Sequence, residues 1–211
     1  LSVGVFGFFV STDLFTMFMF YEVALIPMYL LIGVWGSGRK EYAAMKLTLM
    51  LMGGSAFLLI GILGIFYGAG GETMNLLEIA KLHIPHEMQR IFFPLIFLGF
   101  GVLGALFPFH TWSPDGHASA PTAVSMLHAG VLMKLGGYGC FRVAMYLMPE
   151  GAAMWGDVFL ILTTISVVYG AFSAVVQTDL KYINAYSSVS HCGLVLFALL
   201  MMTRTSCTGA I

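Results

Sequence analysis

Hydrophobic positions along the chain fall into long apolar runs separated by short polar breaks. A membrane-crossing helix needs about 20 mostly apolar residues, and most of the runs reach or approach that length. Residues 1–10 form a partial run that ends at Ser11-Thr12-Asp13, and 14–35 is a full one closed by the loop Gly36-Ser37-Gly38-Arg39-Lys40. Further runs occupy 43–67, 91–109, 120–148, 152–176 and 182–202, of which 91–109 is short and 120–148 long. The widest polar gap, 68–90, carries "NLLEIAKLH", whose spacing predicts a short amphipathic helix at the membrane interface. The pattern predicts an all-α polytopic transmembrane helix bundle forming a single transmembrane domain. It begins inside an apolar run without an initiator Met and stops as another run starts, so residues 1–211 read as an internal piece of a longer protein.

Composition supports the bilayer as solvent. The chain is 59% hydrophobic and only 9% charged, too little charge to cover a soluble domain of 211 residues. A net charge of −1, without a basic run, excludes a nucleic-acid face. Cys140, Cys192 and Cys207 lie far apart with no C-x-x-C pair, which argues against disulfides, zinc ribbons and iron–sulfur clusters in this chain. Lys and Arg do not orient the bundle, because Arg39, Lys40 and Lys181 at one end are balanced by Lys81, Arg90 and Arg204 at the other.

One stretch breaks the apolar pattern, the island "FPFHTWSPDGHASAPT" at 107–122. Pro108, Pro114 and Pro121 predict an interrupted helix near residues 104–120. The segment between Pro108 and Pro121 is expected to be non-helical, with His110 or Trp112 turned toward neighbouring helices. His110, Asp115 and His117 match no metal-ligand spacing and read as a structured loop.

Ionisable groups inside the runs are the candidate chemistry, since a charge at mid-bilayer costs about 2.5–3.5 kcal/mol. Glu22 lies mid-run with Pro27 five residues on, where the proline frees the Val23 carbonyl beside the carboxylate. Lys134 is the midpoint of 120–148, too deep to reach a headgroup, and can release and rebind a proton. Lys46, near a helix start, reads equally as a headgroup-reaching stem or a relay group. His128 shares a run with Lys134, and His191 lies one turn after Ser187. As a haem pair these two histidines lack any attachment motif.

Three stretches, "FYEVALIPMYLLIGVWG", "PFHTWSPDGHASAPTAVSMLHAGVLMKLGGYGCFR" and "QTDLKYINAYSSVSHCG", resemble the antiporter-like membrane subunits of respiratory complex I, with E-x-x-L-I-P-M-Y pointing to the M type. The resemblance implies an antiporter-like fold of two inverted five-helix repeats, with this chain running from the end of the fourth helix to the start of the eleventh. It implies a proton-translocating subunit of NADH-quinone oxidoreductase that couples quinone reduction elsewhere to proton movement. Glu22 matches the family's helix-five glutamate and Lys134 its central helix-eight lysine. His128, His191 and Lys46 are then expected as further relay groups, and the island as a helix break beside a hydrated half-channel. The family usually pairs its glutamate with a helix-seven lysine, but Leu103 occupies that place, leaving Lys46 or His128 as the expected counter-cation for Glu22 and His128 as the expected switch.

The same resemblance puts NADH, FMN, iron–sulfur clusters and quinone in partner subunits, with no redox centre in this chain. Its implied partners are the other membrane and peripheral subunits of the complex, lipid, water and protons. The implied location is the bacterial inner membrane. A subunit of a cation/proton antiporter or of a membrane-bound hydrogenase, and a purely structural spacer, remain alternatives.

Overall fold

The computed structural model describes residues 1–211 as a bundle of helices without a strand. In chain order these are α1 (Ser2–Val10), α2 (Leu14–Trp35), α3 (Lys40–Gly68), α4 (Leu76–Ile79), α5 (His86–Leu103), α6 (Trp112–Ser119), α7 (Thr122–Leu127), α8 (Met133–Gly139), α9 (Pro149–Val176), α10 (Leu180–Leu200) and α11 (Arg204–Ala210). Four of them, α2, α3, α9 and α10, are long and apolar enough to cross a membrane. Their outer faces stay apolar where no helix covers them, as at Phe172 (70% exposed) and Val175 (82% exposed), which fits lipid as the surrounding solvent.

Small residues let the helices approach. On the α9–α10 seam, Gly170 lies against Ser190 and Gly193 against Ser166. Ser190 Oγ donates to Val167 O at 2.9 Å across the same seam. Small residues and interhelical hydrogen bonds are what holds helices together when lipid is as apolar as the interface. Aromatic packing fills the junction of α5 and α9, with the Phe97 and Phe159 ring centroids 4.4 Å apart.

Loops pair up at the two ends of the bundle. At one end an isolated antiparallel bridge joins Asp13 to Asn75, with Leu14 N donating to Met74 O at 3.0 Å and Leu76 N to Thr12 O at 2.8 Å. His86 and Glu150 pair there at 3.0 Å. At the other end the 36–39 loop meets the end of α6, Ser37 N donating to Ser119 O at 2.8 Å, and Arg39 and Lys181 line one cleft.

Several boundaries differ from the hydropathy pattern for identifiable reasons. The stretch "NLLEIAKLH" forms only the single turn α4, capped by the Asn75 side chain on Leu77 N. One turn is too short to hold itself, and the bridge to residues 12–14 supports it. The 91–109 run is helical only as far as Leu103, and Pro85 at the N-cap starts that helix early, at His86.

The helix break is present, but the prolines do not end α5. A Schellman cap does: Leu106 N donates to Gly101 O at 2.8 Å, Ala105 N to Val102 O at 3.1 Å, and Ala105 adopts φ 55°. The island beyond is not wholly irregular either, because 112–119 forms α6. Pro114 is compatible with that helix since it falls in the first turn, where a backbone N–H has no intrahelical acceptor. Finally, 120–148 is not a regular α-helix. From Thr122 to Leu147 it is one rod in which α7 and α8 alternate with π-helical segments at His128–Leu132 and Cys140–Met145.

Candidate functional site

α6 is the element on which the polar groups converge. Its start is pinned to the cap of α5 by Trp112 Nε1, which donates to Val102 O at 3.0 Å. Its end is held by Lys181 Nζ, which donates to Ala118 O at 3.2 Å and Ala120 O at 3.0 Å. Between these anchors its side chains point two ways.

Toward the rod, Trp112 and His117 clasp His128. The Trp112 and His128 rings stack at 5.2 Å and 6°, and the His117 and His128 rings at 4.1 Å and 13°. His128 is fully buried, and Gly116 makes room for it, since a Cβ there would stand 3.0 Å from His128 Cε1. His117 Nδ1 and Ser125 Oγ share a hydrogen bond of 2.9 Å. His117 Nε2 and both ring nitrogens of His128 are buried without a protein partner. Each such group left unpaired costs about 1–3 kcal/mol, so three together make a place suited to water, which binds where several polar atoms converge. The rings are parallel, and their lone pairs lie in separate parallel planes, which suits water and protons and not one shared metal ion.

Toward α3 and α10, Asp115 Oδ2 accepts from Lys46 Nζ at 2.6 Å, while its Oδ1 lies 3.4 Å from the Tyr182 hydroxyl. Before α6, the buried His110 ring packs between Phe107 at 5.6 Å and Tyr169 at 4.9 Å, with Nδ1 unpartnered. His110 and Trp112 thus face protein, as the sequence predicts.

The remaining predicted groups stand apart from α6. Lys134 is exposed on the far side of the rod, not buried as its mid-run position implies. It lines a cavity of about 510 Å³ whose other walls are largely apolar, among them Tyr138, Phe141 and Cys192. Its link to α6 is one residue away, where Ser113 Oγ donates to Met133 Sδ at 3.5 Å. Glu22 Oε1 is buried and unpartnered on α2. Neither expected counter-cation reaches it: the Lys46 ammonium is held by Asp115, and the His128 ring is clasped in the stack. Lys46 also sits five residues from Leu51, whose carbonyl takes the hydroxyl of Tyr21, about 7.5 Å along the helix axis. His191 is exposed on α10, away from His128. Pro108 lies exposed in the break and Pro121 caps α7.

Sequence reasoning passed over Ser125 and Tyr182. A signal existed for both: Ser125 precedes His128 by three residues, and Tyr182 and Tyr186 share a face at four-residue spacing.

Helix bundle, broken helix and ionisable side chains on its inner faces together define a polytopic membrane protein with titratable groups inside the bundle. The chain belongs to the family described as NADH:quinone oxidoreductase/Mrp antiporter, transmembrane, whose profile matches residues 11–211. It is 43% identical over 205 residues to NAD(P)H-quinone oxidoreductase chain 4 3 of a Picosynechococcus species, covering 97% of this chain and 37% of that one. To the chloroplastic NAD(P)H-quinone oxidoreductase chain 4 of Citrus sinensis it is 41% identical, covering 99% and 42%. Respiratory complex I from Thermus thermophilus with bound NADH contains a chain that superposes with TM-score 0.92 at 30% identity, covering 98% of this chain and 44% of that one. The Mrp complex of a Dietzia species shares the fold alone, with TM-score 0.86 at 24% identity and coverage of 99% and 39%. The chain spans about two fifths of the length of the curated relatives it matches.

Proposed function

We propose that this chain is the proton-translocating part of an NADH-quinone oxidoreductase membrane subunit of the chain-4 type. The observation that carries the reading is the His117–His128 stack, three of whose ring nitrogens are buried and unpartnered, on a π-distorted rod that carries Lys134 six residues on. An imidazole ring can accept a proton at one nitrogen and donate one from the other, and π-helical distortions are frequent at functional sites. Lys134 is the central relay of this scheme. His128 connects it to α6, and Glu22 supplies the charge that biases it. Lys46 and His191 are accessory groups.

NADH, FMN, iron–sulfur clusters and quinone are assigned to partner subunits, and the redox step to them. Supporting this, the chain's three cysteines are far apart in sequence, and its relatives carry the name of a multi-subunit oxidoreductase. The membrane is the bacterial inner (cell) membrane, with support from the Thermus neighbour and the Picosynechococcus relative.

Lys134→Met tests the reading in the assembled complex. Met keeps volume and flexibility but cannot titrate, so quinone reduction should persist while proton movement falls about a hundredfold or more. Lys134→Arg should fail as well, because guanidinium holds its proton. Wild-type proton movement in an assembled Met variant would refute the reading.

A further inference from the structure

His117 meets the rod at two points, and only one of them distinguishes the edges of its ring. The His128 ring lies against it at 4.1 Å and 13°. That face-to-face contact is blind to where the nitrogens are. Turning the His117 ring by a half-turn about its Cβ–Cγ bond exchanges Nδ1 with Cδ2 and Nε2 with Cε1 but keeps the plane. The terminal torsion of a histidine is broad and roughly two-fold, so stacking alone leaves both flips open. Trp112 does not decide between them either, because it stacks on His128 and its one donor goes to Val102 O.

Ser125 does decide. It lies in α7 three residues before His128, on the same side of the rod, and its Oγ is 2.9 Å from His117 Nδ1. A flipped ring would set the carbon Cδ2 against that oxygen and lose the bond. The hydrogen inventory then fixes the tautomer. Nδ1 is the one partner of the Ser125 hydroxyl, since the Pro121 carbonyl one turn back takes the Ser125 amide at 2.8 Å and not the Oγ–H. Were the ring hydrogen on Nδ1, that nitrogen would donate to Oγ, and two groups would lack partners, the Ser125 O–H and the bare Nε2. With the hydroxyl donating to Nδ1, one group is left, the hydrogen on Nε2, in a residue only 1% exposed. Buried unpaired groups are costly, so the second arrangement is favoured.

We propose that Ser125 is a positioning residue for proton movement: its hydroxyl donates to His117 Nδ1, fixes the flip and tautomer of the ring, and makes Nε2 the nitrogen that carries the ring hydrogen. The inference rests on the function proposed above. A neutral imidazole takes up a second proton at its bare nitrogen, here Nδ1, and the same hydroxyl then turns to accept from it, because a serine oxygen both donates and accepts. Ser125 thus partners His117 in both charge states. Alanine at this position would partner neither, and threonine would partner both.

The test uses the complete complex in sealed vesicles and reads protons moved per quinone reduced. Ser125→Ala should lower that ratio by about two- to tenfold, the bias that one neutral hydrogen bond imposes between two tautomers, and Ser125→Thr should restore most of it. An unchanged ratio in assembled Ser125→Ala overturns the proposal. A Thr variant no better than the Ala variant overturns it too, because the hydroxyl would then not be the group that matters. Should Ser125→Ala fail to assemble, Ser125→Thr and Ser125→Val have the same shape and differ by a hydroxyl for a methyl. The Thr variant should move more protons per quinone than the Val variant, and equal ratios overturn the assignment. Loss of proton movement in Lys134→Met with none in Ser125→Ala sinks this inference alone. No loss in either sinks the functional reading beneath it.

Discussion

Replacing Gly136 by Ala measures how tightly the rod is seated on the helix break. A Cβ at 136 would stand 2.4 Å from Gly104 N, 2.6 Å from Phe100 O and 2.8 Å from Gly104 Cα. All three atoms are backbone, so no side chain can rotate away, and the rod and α5 must part by about 1 Å to restore ordinary contact. Such overpacking costs about 1–3 kcal/mol. The better helix propensity of Ala offsets about 0.5–1 kcal/mol of this. The net loss of about 1–2 kcal/mol corresponds to a fall of about five- to thirtyfold in the folded-to-unfolded ratio. Gly137→Ala is the control in the same turn, because its Cβ would meet only Val195 Cγ1 at 3.5 Å, an ordinary contact. The assay is the thermal unfolding midpoint of the purified complex in detergent, measured alongside proton movement. Gly136→Ala should melt lower than the parent and Gly137→Ala at or above it. A Gly136 variant as stable as the Gly137 variant would refute the claimed close approach of backbones beside Lys134.

Two further substitutions probe how α6 is held. Trp112→Phe keeps an aromatic ring against His128 but removes the Nε1 donor to Val102 O, which retains its bond from Ala105 N. It should cost about 1 kcal/mol, read as a small drop in melting midpoint, and no drop would mean the indole bond does not anchor the break. Lys181→Met removes the donor to the Ala118 and Ala120 carbonyls. Backbone amides of the last turn of α6 should then exchange hydrogen faster than in the parent, since local opening tracks lost contacts, and unchanged exchange would contradict the capping role.

Much was legible in the order of residues because lipid imposes a simple rule: long apolar runs must be helices, since only a helix satisfies its own backbone in oil. The helices α2, α3, α9 and α10 begin and end within three residues of apolar runs in the sequence, whereas the 91–109 run is displaced from α5 by five and six residues at its ends, and proline punctuation falls in the island where the helix is broken. Period and composition could not show how the break is made, because a Schellman cap at Leu103–Leu106 depends on a left-handed Ala105 that nothing in the sequence marks. They could not show the π segments either, since a run that is apolar on nearly every side carries too little periodicity to register an extra residue in one turn.

The candidate residues followed the same division. A glutamate, lysines and histidines inside apolar runs stand out because each is costly there, so residue order alone singles out Glu22, Lys46, His128 and Lys134. Who meets whom was decided by folding. Asp115 and Lys46 are 69 residues apart in sequence and 2.6 Å apart in space. His117, eleven positions before His128, stacks on it only because α6 turns back beneath the rod. Lys134, central in its run, faces an open cavity because the rod turns that side away from α6. Sequence specifies which groups are expensive to bury; the packing of helices with different tilts and breaks decides which of those costs are shared, and that depends on distances no linear pattern contains.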